Sequence, residues 1–259
     1  MNSSDETATD LRGARSDVLK FYRDLPFNFY ADASVHASEL RRLNPLWAYP
    51  PLIQALRTRP RLLDVGSGTG WLVHAAALHH GCASTGIDFN PVAVQRAQTV
   101  AGLLGVDAVF EVADLFAYRA VERFGMVTSI GVLHHTNDCL GGIAHAARLL
   151  VGEAGRMFIG LYHAFGRRPF LSHFDRMRRR GAGEDAMYLE FRNLRTGSPI
   201  AANETFSRSW FRDQVLHPHE SCHTLAEVLP VIEDLGFVLE STSINRFGPI
   251  PADITSLIQ

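Results

Sequence analysis

Short apolar runs alternate with amphipathic stretches of helical period over the middle of the chain. The runs suit short strands, and the stretches between them carry a single apolar stripe at helical spacing. The predicted strands are Leu62–Val65, Ser84–Ile87, Ala108–Val112, Met126–Ile130 and Arg156–Leu161. Strands that alternate with helices in this way form βαβ units with parallel strands. The pattern therefore predicts an α/β fold with a doubly wound, mostly parallel, Rossmann-like sheet.

Two segments flanking this core, residues 61–161, do not follow the alternation. Residues 11–60 contain helical stretches that prolines interrupt, and residues 162–223 are too long to be a simple connection. We expect both segments to form a helical cap over the core, the second as an insertion after the fifth strand that covers the substrate.

The two ends of the chain are predicted from composition and capping signals. Residues 1–10 are polar and acidic, and we expect a disordered tail. Residues 224–259 return to the core pattern, with a capping box at Thr224 and Glu227 that opens a helix. A sixth strand is predicted at Phe237–Ile244, and Ile254–Ile258 is the remaining candidate for a seventh.

Composition and charge exclude several classes of function. The formal net charge of the 259 residues is −2, so no global positive field attracts nucleic acid. No apolar run is long enough for a membrane span, and the first ten residues do not resemble a secretory signal. The three cysteines are far apart in the sequence, which is typical of free thiols in a reducing compartment. We therefore expect a cytoplasmic protein with no membrane and no nucleic-acid partner.

A glycine-rich loop follows the first predicted strand and precedes a helix. Gly66, Gly68 and Gly70 allow the backbone to turn sharply and approach a ligand, and the helix N-terminus offers free N–H groups. Asp88 ends the second strand, where a carboxylate can accept both hydroxyls of a ribose. The combination favours a nucleoside-bearing cofactor. The GxGxG spacing departs from the GxGxxG fingerprint of dinucleotide-binding proteins.

Four motifs in order resemble those of the class I S-adenosylmethionine-dependent methyltransferases. They lie at the predicted strand ends and together cover residues 61–161. Their sequences are Leu-Leu-Asp-Val-Gly-Ser-Gly-Thr-Gly from Leu62, Gly-Ile-Asp-Phe-Asn-Pro from Gly86, Ala-Asp-Leu-Phe from Ala113, and Ile-Gly-Val-Leu-His-His from Ile130. The last of these resembles the motif after the fourth strand of small-molecule members such as the ubiquinone/menaquinone type.

The resemblance implies S-adenosylmethionine as cofactor and a role for each matching residue. The backbone of the loop is expected to hold the methionine end of the cofactor, Asp64 to shape the loop, and an acidic side chain to bind the ribose. A second acidic side chain and a backbone N–H are expected to bind the adenine, and an aromatic ring to pack on it. The implied cofactor-binding residues are Asp64, Gly66, Ser67, Gly68, Gly70, Asp88, Phe89, Asp114, Leu115, Ile130 and Gly131.

Candidates for the methyl-acceptor side follow the fourth strand and precede the first. His134 and His135 are candidate catalytic bases, because an imidazole titrates near neutrality; alternatively they hydrogen-bond the loop or close over the cofactor. An aromatic-rich stretch begins at Phe21, and its residues either line the acceptor pocket or pack. The candidate substrate-binding residues are Phe27, Asn28, Tyr30 and Tyr162.

Two clusters within residues 162–223 have alternative interpretations. The basic run from Arg176 to Arg180 either grips an anionic group on the acceptor or forms a solvated helix face. His217, His219 and His223 have metal-ligating chemistry, but no set of carboxylates completes a site. Hydrogen bonds that anchor the insertion explain them more simply, so no metal is predicted.

The sequence as a whole predicts an enzyme that transfers a methyl group to a small-molecule acceptor at O, N, S or C. Two alternatives stay open: a non-catalytic regulator that binds S-adenosylmethionine, and a nicotinamide-dependent oxidoreductase, which the loop spacing disfavours. Neither the acceptor nor the oligomeric state follows from the sequence.

Overall fold

Five parallel strands form the centre of the protein. The computed structural model describes residues 16–198, 200, 203–251, 253, 254 and 257. The strands are β1 (Leu62–Val65), β2 (Ser84–Asp88), β3 (Ala108–Val112), β4 (Met126–Ile130) and β5 (Arg156–Gly160). They are ordered β3-β2-β1-β4-β5, and every neighbouring pair is parallel. The order reverses at β1, so β1 and β4 border the switch point at which such sheets bind ligands. The predicted doubly wound α/β fold is confirmed.

Helices α4 (Trp71–His80), α5 (Pro91–Leu104) and α6 (Cys139–Ala147) connect these strands. α5 has the ends that its sequence predicts: the Asn90 side chain accepts from the Val92 N–H, and Gly105 ends the helix at φ 68°. Apolar side chains of α4 and α5 pack with β3 on one face of the sheet, and those of α6 pack on the other. The two apolar faces of the sheet are thereby covered, which is what a parallel sheet requires.

The N-terminal segment is helical in short pieces, as its prolines predict. It contains α1 (Ser16–Asp24), α2 (Ala33–Arg42), a 3₁₀ turn (Pro45–Ala48) and α3 (Pro50–Leu56). The 3₁₀ turn and α3 bury Leu46, Leu52 and Leu56 against α4 and the sheet, while α2 packs on α5. Burial of these leucines fixes the segment to the core.

The insertion after β5 is helical and has a core of its own. It contains α7 (Ala164–Arg179), α8 (Glu184–Leu194) and α9 (Glu204–Phe211), which continues as a π-helical turn (Arg212–Leu216). Residues 217–223 then run between the ends of β4 and β5. The Ser221 N–H donates to the His134 carbonyl at 2.8 Å, and the His223 N–H donates to the Tyr162 carbonyl at 2.9 Å. These bonds hold the end of the insertion against the switch point.

The end of the chain differs from its prediction. The predicted helix is present as α10 (Leu225–Asp234), with its capping box, and packs on α6. The predicted strand Phe237–Ile244 is wrong, because residues 237–242 pair with no strand and Ser243–Asn245 form a 3₁₀ turn. Phe237 packs on the core, whereas Val238 is 86% exposed. The alternating apolar residues of this segment therefore do not form one buried face of a strand. The fold class is unaffected by this difference.

Two predictions fall on residues that the structure does not describe. The tail at residues 1–10 and most of Ile254–Ile258 lie outside the described residues. None of the described helices combines the length and the apolar composition that crossing a lipid bilayer requires.

Candidate functional site

A cavity of about 1000 Å³, its mouth included, lies at the carboxyl ends of the strands. Residues 66–69 after β1, 88–90 at the end of β2, 113–116 after β3 and 130–133 after β4 form most of its wall. The N-terminal segment contributes Tyr22 and Phe27, and the insertion contributes Asp213. Four consecutive strand ends, a helical cap and an insertion thus meet around one space, of a size that suits a small ligand.

The glycine loop is shaped by packing as well as by ligand access. Gly66, Gly68 and Gly70 all have φ between 54° and 86°, which favours glycine. A Cβ at Gly66 would lie 2.3 Å from the Val132 side chain, and one at Gly70 would lie 2.7 Å from the rings of His74 and Phe110. A Cβ at Gly68 would meet nothing within 4 Å. Gly66, Ser67 and Gly68 line the cavity, whereas Gly70 packs behind the loop.

Asp88 joins the end of β2 to the glycine loop. Its Oδ2 accepts from the Gly68 N–H and its Oδ1 from the Asn90 N–H, both at 2.8 Å. Each carboxylate oxygen has a second lone pair, so the side chain can still accept from two hydroxyls of a ligand. Burial raises the pKa of Asp88 to about 6, although these two hydrogen bonds favour the ionised form.

Asp114 presents a buried oxygen to the same cavity. Its Oδ1 accepts from the Phe116 N–H at 3.0 Å, while its Oδ2 is buried and has no hydrogen-bond partner among the described residues. An unsatisfied buried acceptor is costly, so a ligand donor is expected at this oxygen. Phe89, Leu115, Ile130 and Gly131 also line the cavity. The amino group and ring of an adenine suit this wall.

Asp64 lies behind the loop and does not line the cavity. It is 3% exposed, and the Thr128 hydroxyl donates to its Oδ1 at 2.7 Å, which joins β1 to β4. Burial raises the pKa of Asp64 to about 7, and the nearby charge of Asp88 adds to the shift. Its contact with β4 places Asp64 among the residues that support the loop.

The raised pKa of Asp64 predicts a pH-dependent difference in stability between the wild type and Asp64→Asn. The pKa of an aspartate in an unfolded chain is near 4, below the value of about 7 in the folded protein. Protonation of Asp64 therefore stabilises the folded state, and this stabilisation is lost as pH rises to about 7. We expect the free energy of unfolding of Asp64→Asn to rise relative to the wild type between pH 5 and pH 7, and the difference to be constant above that. Denaturant titrations at each pH measure it. Buried neutral histidines such as His74 make the stability of both proteins rise with pH. The quantity to compare is therefore the difference in free energy of unfolding between the variant and the wild type at each pH. A difference that does not change with pH would contradict the raised pKa.

The two adjacent candidate bases have different environments. His134 is fully buried, stacks on Tyr162 with ring centroids 4.0 Å apart and does not line the cavity. Neither of its ring nitrogens has a hydrogen-bond partner in the described part of the chain, and burial lowers its pKa to about 2. His134 is therefore placed as a packing residue, because the 3₁₀ turn Leu133–His135 directs it away from the cavity.

His135 lines the cavity and has one ring nitrogen available. Its Nδ1 lies 2.8 Å from the carbonyl oxygen of His219. A carbonyl can only accept, so Nδ1 carries the proton and Nε2 holds a lone pair. Nε2 is buried and has no partner among the described residues. Burial lowers the pKa of His135, while the charge of Asp213 acts in the opposite direction. The imidazole is therefore neutral at neutral pH and able to accept a proton.

Of the four predicted substrate-binding residues, only Phe27 lines the cavity. Asn28 has φ 55°, its Oδ1 accepts from the Trp210 indole N–H at 2.8 Å, and its carbonyl accepts from the Thr69 hydroxyl. Tyr30 packs between the rings of His36 and Phe206. These contacts join the N-terminal segment to α9 and to the glycine loop, so packing is the better interpretation of both side chains.

Tyr162 belongs to a hydrogen-bonded group that the sequence did not indicate. Its hydroxyl lies 3.4 Å from Asp213 Oδ2 and accepts from the Gln214 amide at 2.5 Å. Tyr22 donates its hydroxyl to Asp213 Oδ1 at 2.5 Å, and both residues line the cavity. They are 191 positions apart in sequence, and no local pattern pairs them. The π-helical turn that carries Asp213 is an irregularity often found at functional sites.

The basic run and the histidine cluster do not contribute to the cavity wall. Arg176, Arg178, Arg179 and Arg180 are exposed on α7 and the turn after it, so a solvated face is the better interpretation. His217 Nδ1 accepts from the His219 N–H, and His219 Nε2 donates to the Thr136 carbonyl. These rings hold residues 217–223 in place. Within the part of the chain that the structure describes, no three metal-ligating side chains form a group.

Comparisons with known proteins concern the domain that carries this cavity. Residues 62–152 match the family model of a methyltransferase domain. The chain is 31% identical over 146 residues to the ubiquinone biosynthesis O-methyltransferase of Saccharophagus degradans, an alignment that covers 56% of this chain and 61% of that protein. It is 35% identical over 100 residues to the enzyme of the same name from Azotobacter vinelandii, covering 38% and 42%. The chain thus spans less than two thirds of the length of these curated relatives.

A solved structure supports the fold. PKMT2 from Rickettsia typhi, in complex with AdoHcy, superposes with a TM-score of 0.57 at 16% identity, covering 81% of this chain and 47% of that one. At this identity the likeness concerns the architecture alone.

Proposed function

We propose that this chain, whose residues 62–152 belong to the class I S-adenosylmethionine-dependent methyltransferase family, transfers a methyl group from that cofactor to a small-molecule acceptor. One observation carries the proposal: the glycine loop, Asp88, Asp114 and His135 line a single cavity, and the buried Nε2 of His135 has no partner among the described residues. Donor-binding groups and a candidate base therefore face the same space.

The donor half of the cavity fits the cofactor on the chemistry of its own residues. Residues 66–68 present backbone and open space beside the N-terminus of α4, which suits a carboxylate. Asp88 would accept from the ribose hydroxyls, and the unpartnered Oδ2 of Asp114 from the adenine amino group. When bound, the cofactor supplies a methyl group on a sulfonium, an electrophile that needs an aligned nucleophile.

The acceptor half would be formed by Tyr22, Phe27, His135 and Asp213. Most of the cavity wall is apolar, which excludes water and orients a small acceptor. The Nε2 of His135 can accept a proton from a hydroxyl as it attacks, and the hydrogen bond from Nδ1 to the His219 carbonyl holds the ring in that tautomer. Transfer to oxygen is the form we favour, and the names of the two curated relatives support it.

Calorimetry and a labelled-donor screen test the proposal. We expect the purified chain to bind S-adenosylmethionine and S-adenosylhomocysteine and to show no measurable affinity for NAD. Incubation with methyl-labelled donor and fractionated small-molecule extracts should yield a labelled low-molecular-weight product. Donor binding without any labelled product would favour a non-catalytic regulator, and tighter binding of NAD would overturn the cofactor assignment.

A further inference from the structure

Asp213 is a buried carboxylate held toward the acceptor half of the cavity. It is 5% exposed, and the donors around it are the Tyr22 hydroxyl at 2.5 Å, the Gln214 amide at 2.8 Å and the Tyr162 hydroxyl at 3.4 Å. These neutral donors come from α1, from the second residue after β5 and from the π-helical turn. They orient the carboxylate without cancelling its charge.

No cation of the described residues forms an ion pair with Asp213, although the charge of Arg167 acts on it from nearby. Among the described residues that line the cavity, no lysine or arginine is present. Arg167 is the nearby buried cation, and it already makes two hydrogen bonds to the Glu220 carboxylate, at 2.8 and 3.1 Å. Arg212 donates to the Phe21 carbonyl and lies 3.8 Å from Asp24. An anion that entered this half of the cavity would meet the negative charge of Asp213 in a poorly solvated space.

A second observation concerns His135, which lines the same cavity as Asp213. Its Nε2 is buried and has no hydrogen-bond partner among the described residues. The helix that carries Tyr22 is tied to the donor half, because the Asn90 amide donates to the Tyr22 carbonyl at 2.9 Å. The Tyr22–Asp213 pair is thus placed relative to the donor site by a direct bond.

From these contacts we propose that Asp213 determines acceptor specificity by charge. Its carboxylate accepts a hydrogen bond from an O–H or N–H group of the acceptor, admits neutral or cationic molecules and disfavours anionic ones. This inference rests on the proposed methyl transfer. It replaces the anionic acceptor that the basic run suggested, since that run does not line the cavity.

Sinefungin tests the inference without requiring a known acceptor. In this analogue a carbon that bears an ammonium group replaces the sulfonium and its methyl, so a cation with N–H donors projects toward the acceptor half. S-adenosylhomocysteine has an uncharged thioether sulfur at the corresponding position and is therefore the neutral counterpart of sinefungin. We expect the wild type to bind sinefungin at least as tightly as S-adenosylhomocysteine. Asp213→Asn should weaken sinefungin about tenfold, with S-adenosylhomocysteine changed less than about twofold.

Two further variants separate charge from structure. Tyr22→Phe removes a donor but leaves the carboxylate, so the preference for sinefungin should persist. Asp175→Asn removes an aspartate of the same insertion that does not line the cavity, and should change neither affinity. The inference is overturned if Asp213→Asn weakens both ligands equally or neither, or if the wild type binds sinefungin ten times more weakly than S-adenosylhomocysteine. Failure of the wild type to bind any of these adenosyl ligands would instead refute the proposed function.

Discussion

Replacing His135 with alanine should lower kcat by about 10²–10⁴-fold and leave donor affinity unchanged, the range typical of a general base. The reason is geometric: His135 lines the cavity, its Nδ1–H is committed to the His219 carbonyl, and Nε2 is the ring atom that keeps a lone pair for a proton. Single-turnover kinetics with the acceptor found by the labelled-donor screen measure the chemical step, and calorimetry measures donor affinity.

The pH dependence of the wild type provides an independent check on His135. Because burial lowers its pKa, the neutral form persists below pH 6.5, so the rate should be flat near neutrality and fall on the acid side of 6.5. At donor concentrations that saturate the enzyme at every pH, the His135→Ala variant should lack this acid limb. With an unperturbed imidazole the rate would begin to fall at a pH closer to neutrality. The lower pH of this fall is the expected effect of burial on His135.

His134→Gln is the matched control for this experiment. The two imidazoles are adjacent in sequence, but His134 does not line the cavity, so kcat should remain within about threefold of the wild-type value once folding has been verified by circular dichroism. If His135→Ala retained nearly full activity, proton abstraction by this loop would be refuted. Catalysis would then depend on positioning, and the acceptor would already be nucleophilic at neutral pH.

Replacing Asp88 with alanine should weaken the binding of S-adenosylmethionine by about 1.5–3 kcal/mol, or roughly 10- to 150-fold. The carboxylate is expected to bind the ribose hydroxyls, and it also holds the Gly68 N–H that orders the glycine loop. Calorimetry measures the loss. Asp107→Ala, which removes an exposed aspartate just before β3, is the matched control and should bind with wild-type affinity.

Donor affinity should also depend on the ionisation of Asp88. Its pKa is raised to about 6, so protonation competes with ribose binding as pH falls through 6, and affinity should drop about tenfold for each further pH unit. Above pH 7 the affinity should be constant. Asp64 titrates in the same range but lies outside the cavity wall, so Asp64→Asn should keep this dependence and Asp88→Asn should lose it. An unchanged affinity in Asp88→Ala would refute the ribose assignment.

The donor half of the site could be predicted from the sequence because its determinants are local. Gly66, Ser67 and Gly68 follow β1 directly, Asp88 ends β2, and Asp114 lies two residues beyond β3. Parallel strands place their carboxyl ends at one edge of the sheet, so residues at those ends converge whatever the rest of the chain does. Helix signals such as Asn90 and Gly105 act within one turn and were equally reliable.

The acceptor half could be predicted only in part: Phe27 and His135 were among the candidates, but contacts between distant segments determine which residues line the cavity. The sequence makes His134 and His135 equivalent, and only the 3₁₀ turn and the His219 carbonyl decide which ring faces the cavity. The pairing of Tyr22 with Asp213 also could not be predicted, because these residues become neighbours only when the insertion folds back over α1.

The last predicted strand shows the same limit. An alternating pattern at Phe237–Ile244 favours a strand, but a strand also requires a partner whose backbone groups are free and a face to bury. In the described structure Phe237 is the residue of this segment that packs on the core, and Val238 points to solvent. The sequence alone therefore determined the sheet and which strand ends carry the proposed donor residues, because these signals lie within single βα units. Tertiary structure decided which histidine lines the cavity, where the Asp213 carboxylate lies and the fate of the C-terminal segment, because each depends on surfaces supplied by another part of the chain.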